Sequence, residues 1–284
     1  MSELIMQVKN ITKKFPASNN RFLTACDDVI LNINAGETVG IVGESGCGKS
    51  TLVKTIMNMH APTSGEVIFH NQDITKLTGE KRRQNCRHIQ MVFQDPTAAF
   101  NPKMKIGDII CEPLLNFNLI KKSQIKEKAQ ELLRLVELPD DFVYKYPNNM
   151  SGGQRQRVAI ARALALEPEI IVCDEATSAL DVSVQAKIIE LLVKLQREKN
   201  ITYIFICHDL ALVSLFSHRI AVMYLGNIVE KIDGNKLTEA KHPYTKALLK
   251  AVFSLDNKQN KNIETLSGDI PSPLDLPKGC PFQN

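Results

Sequence analysis

This 284-residue sequence lacks paired cysteine motifs, long apolar runs and a large excess of charge, and each absence argues against a class of protein. The seven cysteines include no C-x-x-C pair, so neither a zinc site nor a disulfide framework is indicated, and a reducing cytoplasm fits. No apolar run approaches the roughly 18 residues needed to cross a bilayer, and the N-terminal MSELIMQVKN lacks the apolar stretch of a signal peptide. The formal charge is +4, too small an excess to indicate nucleic acid by itself.

The sequence has the composition of an ordinary globular protein, and its first third predicts mainly β-structure. Hydrophobic residues make up 44% and charged residues 23% of the chain, which is enough apolar material for a sizeable core. The local patterns predict strands at 4–8, 37–42, 66–70 and 89–94. The strand that ends at Val42 runs into a glycine-rich turn and then into the helical pattern STLVKTIMNM.

Beyond the first third, a helical region interrupts an α/β pattern. It extends from about residue 103 to residue 166, and after a predicted Ser123 cap its apolar residues share one helical face: Ile125, Ala129, Leu132, Leu133 and Val136. The runs EIIVCDE, VQAKIIELLVKLQREKN, TYIFIC and RIAVMYL then alternate strand and helix, which is typical of a mainly parallel sheet. A short helix around YTKALLKAV, the polar stretch DNKQNKN and the proline-rich end IPSPLDLPKGCPF follow.

One segment, GESGCGKS at 43–50, fits the phosphate-loop pattern G-x-x-x-x-G-K-[ST] in the context that the pattern requires, after a strand and before a helix. Its glycines would let backbone N–H groups converge on the β-phosphate of a nucleotide. Lys49 would neutralise the β- and γ-oxygens, and the Ser50 hydroxyl would ligate Mg²⁺. A lone match could be a tight turn without a ligand, but the flanking strand and helix argue against that alternative.

Polar side chains close three further predicted strands. The apolar strand IIVCDE ends in Asp174 and Glu175, at the edge where an α/β sheet places its ligand. Asp174 would hold Mg²⁺, and Glu175 would accept a proton from the attacking water. Gln94 ends the strand IQMVFQ, and His208 follows the strand TYIFIC. Each residue alone could be a solvated strand end, whereas their common position with Lys49 at strand ends favours a catalytic site.

These motifs, in this order and approximate spacing, resemble those of an ATP-binding cassette (ABC) ATPase over essentially residues 3–230. The likeness rests on GESGCGKST, Gln94, SGGQRQR, IIVCDEATSALD and His208. It implies an α/β fold, that of a P-loop NTPase with a RecA-like core, an N-terminal antiparallel β part, a helical subdomain and a short C-terminal extension. The implied boundaries are a discontinuous ATP-binding core at 1–94 and 167–230, the helical subdomain at 95–166, and the extension at 231–284.

The resemblance also implies roles for individual residues. Glu175 would be the general base, and His208 the γ-phosphate switch. Gln94 would link Mg²⁺ and water to the membrane partner, and Lys49 completes the catalytic set. Phe15 would stack on adenine, although a core phenylalanine at a strand end explains it equally well. The other contacts to this chain's own ATP would be Gly43, Glu44, Ser45, Gly46, Cys47, Gly48, Lys49, Ser50 and Thr51, and the metal ligands would be Ser50, Gln94 and Asp174.

Residues 150–166, MSGGQRQRVAIARALAL, begin a helix with two glycines where serine alone would cap it. Bare N–H groups at a helix start favour an anion. In the ABC family this helix start binds the γ-phosphate held by another subunit, so that two chains enclose two nucleotides. The residues implied are Ser151, Gly152, Gly153 and Gln154, with Asp181 as a dimer contact. Met150 stands where leucine is usual, a volume-conserving change.

Further stretches resemble the oligopeptide, dipeptide and nickel importer branch, and within it the second of two paired ATPase subunits: NPKMKIGDIICEPL, DEATSALDVSVQ, VMYLGNIVE, HPYTKALL and GDIPSPLDLPKGC. This implies ATP and Mg²⁺ as cofactors and a location at the cytoplasmic face of the membrane. The implied partners are a paralogous second ATPase, two permeases and an extracytoplasmic solute-binding protein. Nucleic acid is not expected, although a cassette acting on nucleic acid or ribosomes is the alternative. A nucleotide-binding regulator without turnover is a third, which Glu175, His208 and Gln94 disfavour.

The cysteines add two expectations. Cys47, Cys173 and Cys207 fall beside the proposed catalytic positions and are expected to be small buried residues. A second hypothesis gives Cys47, near a helix start and Lys49, a lowered pKa, so that alkylating it would block nucleotide. In the tail only Cys280 is present, and a single thiolate cannot build the iron–sulfur cluster that some members of the branch hold.

Overall fold

The computed structural model describes residues 3–18 and 20–256, together with residues 272, 274, 279, 280 and 282. The strands are β1 (Leu4–Pro16), β2 (Phe22–Asn34), β3 (Thr38–Val42), β4 (Ser64–Phe69), β5 (Gln72–Asp73), β6 (Ile89–Val92), β7 (Ile170–Asp174), β8 (Thr202–Cys207), β9 (Arg219–Tyr224) and β10 (Asn227–Asp233). The helices are α1 (Lys49–Ile56), α2 (Gly79–His88), α3 (Pro96–Ala99), α4 (Ile106–Asn116), α5 (Ile125–Leu135), α6 (Gly152–Leu164), α7 (Val182–Lys199), α8 (Leu210–Ser214) and α9 (Pro243–Asp256).

The chain divides into two compact units, unit 1 (Met1–Arg82 with Phe205–Asn284) and unit 2 (Arg83–Ile204). Unit 1 contains an antiparallel sheet in which β1 pairs with β2 on one side and β4 on the other, and β4 pairs with β5. Side chains of β1 and β2 form its apolar core, where Val8, Ile11 and Leu31 are at most 1% exposed. The sheet is the antiparallel β part that the family resemblance implies.

Unit 1 also contains the strand that leads into the glycine-rich loop. β3 pairs in parallel with β9, with Val42 opposite Val222, and β9 pairs antiparallel with β10. All five residues of β3 are buried, as expected for a strand that is covered on both faces. Because the two strands are parallel and in register, the segment after Val42 emerges beside the end of β9.

Unit 2 combines parallel strands with packed helices. β6 pairs in parallel with β7, and Val92 lies opposite Cys173. Helices α4, α5 and α6 contact one another. The apolar face predicted for α5 is confirmed in most of its positions, since Ala129, Leu132, Leu133 and Val136 are buried, while Ile125 is half-buried.

Three local features differ from the sequence expectations. β2 was not predicted: Asp28 adopts φ 49° in mid-strand, where the register with β1 shifts, so the strand lacks a regular alternation. α2 was also not predicted, because none of its residues is buried and it has no apolar face to produce a periodic signal. The Ser123 cap is wrong, since Ser123 lies inside a 3₁₀ turn (Lys122–Gln124) and α5 begins after it.

At the C-terminal end, α9 confirms the helix predicted around YTKALLKAV. The polar stretch DNKQNKN and most of the proline-rich end lie outside the described residues, apart from the first aspartate and five isolated positions. Within the described ranges, every helix is too short or too polar to cross a bilayer. The domain boundaries inferred from the sequence stay a prediction.

Candidate nucleotide-binding site

The loop between β3 and α1 has a backbone that only glycine fits at two positions. Gly43 adopts φ 152° and Gly48 φ 107°, both in the region that L-residues avoid. A β-carbon at Gly43 would lie 2.1 Å from the carbonyl oxygen of Met223, and one at Gly48 would lie 2.0 Å from that of Ala25. A β-carbon at Gly46 would meet nothing within 4 Å. The loop is therefore seated tightly on strand backbone on one side and open on the other.

The start of α1 has the donors that a phosphate requires. Its N-cap is Gly48 in the left-handed conformation, no side chain caps the helix, and no acidic residue lies in the first turn. The partial positive charge of the helix start is thus available to an anion. The Lys49 side chain is only 5% exposed, and its Nζ donates to the carbonyl oxygens of Gly43 (2.7 Å) and Glu44 (2.8 Å). The ammonium is therefore held at the loop by two of the loop's own carbonyl groups.

The other predicted loop residues differ in their exposure. Ser45 is exposed and Cys47 buried, while Ser50 and Thr51 in the first turn of α1 are half-buried. The hypothesis of a lowered Cys47 pKa is wrong. Burial raises the pKa of this thiol above its usual value, although the charge of Lys49 and hydrogen bonds from it act in the opposite direction. Cys47 is only 4% exposed, and Cys173 and Cys207 are buried as well. The expectation that these three cysteines are small buried residues is therefore confirmed.

In unit 2 the structure brings Gln94 next to the segment that contains Glu175. Because β6 and β7 are parallel and in register, both residues follow strands at one edge of the sheet. Gln94 Nε2 donates to the Ser178 hydroxyl (3.3 Å), and that hydroxyl donates to the Glu175 carbonyl oxygen (3.0 Å). Glu175 has φ 48°, a strained backbone that re-aims the chain where β7 ends. Asp174 and Glu175 are both half-buried.

The start of α6 is capped by side chains of its own first residues. Ser151 is the N-cap: its hydroxyl accepts from the Gln154 amide N–H (3.3 Å), and the Gln154 side chain accepts from the Ser151 amide N–H (3.0 Å). This is a reciprocal capping box. The expectation of bare N–H groups is therefore wrong for one of these amides in the single chain, because Ser151 covers it.

The two glycines of this motif have a packing role within the chain. A β-carbon at Gly153 would lie 2.5 Å from Cγ1 of Val184, and one at Gly152 would lie 3.3 Å from Cδ2 of Leu180. Both contacts are with residues at or just before the start of α7. A contact of 2.5 Å cannot exist without movement, so Gly153 is what lets the starts of α6 and α7 approach.

Asp181 caps α7 in the single chain. Its carboxylate accepts hydrogen bonds from the Val184 amide (3.0 Å) and from the Ser183 hydroxyl (2.7 Å). Hydrogen bonds from the Ser183 hydroxyl and the Val184 amide hold the pKa of Asp181 below its usual value. The side chain is exposed, and its role as a dimer contact stays a prediction.

The two remaining predicted residues belong to unit 1. Phe15 lies near the end of β1 and is half-buried, with its ring edge-to-face against His60 at a centroid distance of 5.9 Å and the Lys13 ammonium 4.9 Å from its centre. His208 is exposed directly after the fully buried β8. The neighbouring Asp209 caps α8 by accepting from the Leu212 amide (3.1 Å).

The predicted site residues thus fall into two sets. Phe15, residues 43–51 and His208 belong to unit 1, whereas Gln94, the α6 start and the residues after β7 belong to unit 2. Each set has its own internal contacts, and the assembly of the two sets around one nucleotide stays a prediction. The sequence reasoning missed Ser178, Val184 and Tyr244. The hydroxyl of Tyr244 contacts the loop at the Glu44 amide.

Comparison with known proteins identifies the family. The family model described as "ABC transporter" matches residues 26–178, and the one described as "Oligopeptide/dipeptide transporter, C-terminal region" matches residues 230–284. A probable peptide ABC transporter ATP-binding protein of Sinorhizobium fredii is 47% identical over 99% of this chain and 82% of its own length. The oligopeptide transport ATP-binding proteins OppF of Haemophilus influenzae and AppF of Bacillus subtilis are 44% and 45% identical, each over 99% of this chain and 88% of its own length.

Solved structures show the same fold. The dimeric ATP-binding cassette MJ0796, in a post-hydrolysis state with ADP and phosphate, aligns with a TM-score of 0.74 and 34% identity over 81% of this chain and 99% of its own. The cbiO1 subunit of Clostridium perfringens aligns with a TM-score of 0.73 and 26% identity over 88% of this chain and 95% of its own. With a phosphate loop, a strand-end acid pair and these relatives, the chain belongs to the ABC transporter family of ATP-hydrolysing cassettes, in its oligopeptide and dipeptide branch.

Proposed function

We propose that this chain is the ATP-hydrolysing subunit of a membrane importer for oligopeptides or dipeptides. The observation that carries the proposal is the presence, in one chain, of the ABC transporter region and the C-terminal region of oligopeptide and dipeptide transporters. Relatives that match almost the whole chain are named as oligopeptide transport proteins. Nickel or another small solute is a second candidate cargo, since the sequence features of this branch are common to peptide importers and nickel importers.

The chemistry proposed is transfer of the γ-phosphoryl group of ATP to water. Lys49 and the amides of the loop would bind the β- and γ-phosphates, and Glu175 would take the proton of the attacking water. Mg²⁺ would be held by Ser50, Asp174 and Gln94, where it would neutralise phosphate charge. Oxygen ligands of this type are those that Mg²⁺ prefers, and the Gln94 bond to Ser178 uses its NH₂ group, which leaves the amide oxygen as the ligand. His208 would contact the γ-phosphate.

We further propose that the ATPase works as a pair, with a paralogue as the second subunit. The loop of one chain and the α6 start of the other, Ser151 to Gln154, would enclose each nucleotide, and Asp181 would lie at the contact. MJ0796, a cassette of the same fold, is described as dimeric with ADP and phosphate bound. Closing on ATP and opening after hydrolysis would then transmit motion to the transport channel.

The remaining partners follow from the transport role. As a subunit of an ABC transporter, the chain acts with membrane permeases. We propose two permeases, a solute-binding protein outside the membrane, and a peripheral position at the cytoplasmic face, where ATP is present. A cassette that acts on nucleic acid or ribosomes, the alternative left open by the sequence, has no support in the relatives described above.

Reconstitution tests the proposal. The chain, its paralogous ATPase and two permeases would be placed in lipid vesicles with the binding protein, and the genes beside this one would supply the candidates for each. We expect ATP-dependent uptake of labelled peptides and no uptake when Glu175→Gln replaces the chain. Uptake of Ni²⁺ but not of peptides would change the cargo. ATP hydrolysis that responds to nucleic acid and not to permeases would overturn the transport function.

A further inference from the structure

The nucleotide loop makes a hydrogen bond to a residue that no phosphate-loop pattern includes. Tyr244 is 0% exposed, and its hydroxyl oxygen accepts a hydrogen bond from the Glu44 amide N–H at 3.1 Å. The two residues are 200 positions apart, and Tyr244 belongs to the segment matched as the C-terminal region of oligopeptide and dipeptide transporters. The C-terminal region therefore contacts the second residue of the loop directly.

A series of hydrogen bonds fixes the position of Tyr244. The carboxylate of Glu230, on β10, accepts from the amides of Lys241 (2.6 Å) and His242 (3.1 Å). His242 Nδ1 in turn accepts from the Tyr244 amide at 3.2 Å. The turn that leads into α9 is thus tied to a strand, which limits how far the tyrosine can move.

Aromatic packing holds the ring of Tyr244 from two further sides. Its centroid lies 4.5 Å from that of Tyr224, the last residue of β9, and 5.5 Å from that of Phe282. Phe282 also contacts Tyr224 at 5.4 Å. Tilted and edge-to-face pairs of aromatic rings such as these are favourable beyond the area that they bury. Because β9 pairs with β3, the ring is fixed to the same strands that support the loop.

Hydrogen bonds hold both the backbone carbonyl and the backbone amide of Glu44. Lys49 Nζ donates to the Glu44 carbonyl oxygen at 2.8 Å, and the Tyr244 hydroxyl accepts from the Glu44 amide N–H at 3.1 Å. Lys49 is the proposed phosphate ligand, so its hold on Glu44 would change when a nucleotide binds. The bond to Tyr244 does not involve Lys49, so it can persist through that change.

We propose that Tyr244 is a positioning residue for the phosphate loop, through which the C-terminal region raises the affinity for ATP and ADP. The proposal rests on the proposed function, because it assumes that this loop binds the nucleotide phosphates. Tyr244 does not touch the substrate in this role. It keeps the Glu44 amide in place, so that less loop ordering is needed when a nucleotide binds.

The test uses Tyr244→Phe, which removes the hydroxyl and keeps the ring. Tyr224→Phe is the matched control, since it removes a hydroxyl from the same cluster that makes no hydrogen bond to the loop among the described residues. A buried hydrogen bond of this kind corresponds to a change in affinity of about 3- to 10-fold. We expect titration of the full-length protein with ADP and with ATP to show this loss for Tyr244→Phe and not for the control.

Hydrogen–deuterium exchange of the nucleotide-free protein gives a readout that needs no ligand. We expect the peptide covering residues 43–48 to exchange faster in Tyr244→Phe than in Tyr224→Phe, with equal unfolding midpoints. Equal exchange and equal nucleotide affinities in both variants would overturn the proposal. If wild type bound no nucleotide, the proposed function would fail, and the exchange data would still decide the positioning role. Should Tyr244→Phe not fold, Glu230→Gln, which weakens the turn before Tyr244, is expected to give the same faster exchange.

Discussion

Two helices of this chain have glycine at or beside their first residue at a proposed phosphate contact, and they start in different ways. α1 follows Gly48 without any side-chain cap, whereas α6 begins with a reciprocal capping box between Ser151 and Gln154. No side chain caps the start of α1, and the nucleotide proposed to bind there is the one held by the same chain. The second one already satisfies the Gln154 amide, so a phosphate that binds this amide would have to replace the Ser151 hydroxyl. Binding of phosphate at this amide would thus be an exchange of hydrogen bonds, which would suit a contact that forms and breaks in each cycle.

The glycines differ as well. Gly43 and Gly48 have positive φ and are pressed against backbone carbonyls, so no other residue can take their conformation. Gly153 is restricted by one side chain, Val184, at the start of α7. A glycine in a motif can therefore be required by a positive φ, by the close approach of a phosphate or by the close packing of a neighbouring helix. Only the structure distinguishes these reasons.

The largest expected effect concerns Glu175, whose substitution would hold the ATP state in which both helix starts contact phosphate. In Glu175→Gln we expect hydrolysis to fall by about 10²- to 10⁴-fold, the usual contribution of a general base, while ATP binding is kept. Phosphate release measures the first effect, and ATP-dependent association with the paired ATPase, followed by light scattering, measures the second.

Glu169→Gln, at the other end of β7, is the matched control for this substitution and should hydrolyse ATP normally. Normal turnover by Glu175→Gln itself would remove the assigned base.

The α1 side of the comparison is tested by Lys49→Ala. We expect ATP binding to weaken by about 100-fold, since hydrogen bonds to charged groups contribute about 1.5–3 kcal/mol and 1.4 kcal/mol is tenfold in affinity. Calorimetric titration measures the change. Lys54→Ala, in the last turn of the same helix, should bind ATP as wild type does. Equal loss in both variants would mean that helix charge, and not the placement of Lys49, determines binding.

The packing reason for the α6 glycines is tested by Gly153→Ala. The new methyl group would overlap Val184, and we expect the free energy of unfolding to fall by about 1–3 kcal/mol. Gly152→Ala, where the neighbouring atom is 3.3 Å away, should cost less. Adding Val184→Ala to Gly153→Ala should restore stability, as measured by urea denaturation. If stability returns and hydrolysis does not, a close approach of phosphate is a second reason for the glycine.

The smallest expected effect is that of Ser151→Ala, which removes the cap. We expect a loss of about 1 kcal/mol in the free energy of unfolding, the usual contribution of a serine N-cap. Ser183→Ala is the control, since its hydroxyl donates to Asp181 and caps no amide. Urea denaturation of both variants measures the difference. An unchanged Ser151→Ala would show that the capping box contributes nothing in solution and that the two helix starts are equivalent.

The sequence predicted those parts of the fold in which a local pattern coincides with burial. β3, β7 and β8 are wholly or almost wholly buried and appear in the sequence as apolar runs. The glycine-rich loop follows β3, Asp174 ends β7 and His208 follows β8, and these residues made the site recognisable. β2 escaped prediction because Asp28 interrupts it with a left-handed backbone. α2 was not predicted because none of its residues is buried, so the sequence has no periodic pattern of apolar residues there.

Within the site, the sequence predicted which residues take part but not how they are held. The capping box was available in principle from the spacing of Ser151 and Gln154, since serine followed three residues later by glutamine is its signature. The contact of Gly153 with Val184 and that of Tyr244 with Glu44 join residues 31 and 200 positions apart. A local sequence pattern cannot predict such contacts, because they depend on how elements distant in the sequence pack together. The raised pKa of Cys47 was missed for the same reason, because burial of the thiol outweighs the charge of Lys49 and the hydrogen bonds from it.

The seating of the loop on the carbonyls of Ala25 and Met223 has a consequence for genetics. A change that shifts β2 or β9 by a fraction of an ångström would push those carbonyls against Gly48 and Gly43. A screen for loss of transport should therefore recover alleles in these strands, outside the phosphate-loop segment at residues 43–50. Such alleles would produce a folded protein with a defective loop, and their suppressors would map to the opposite strand.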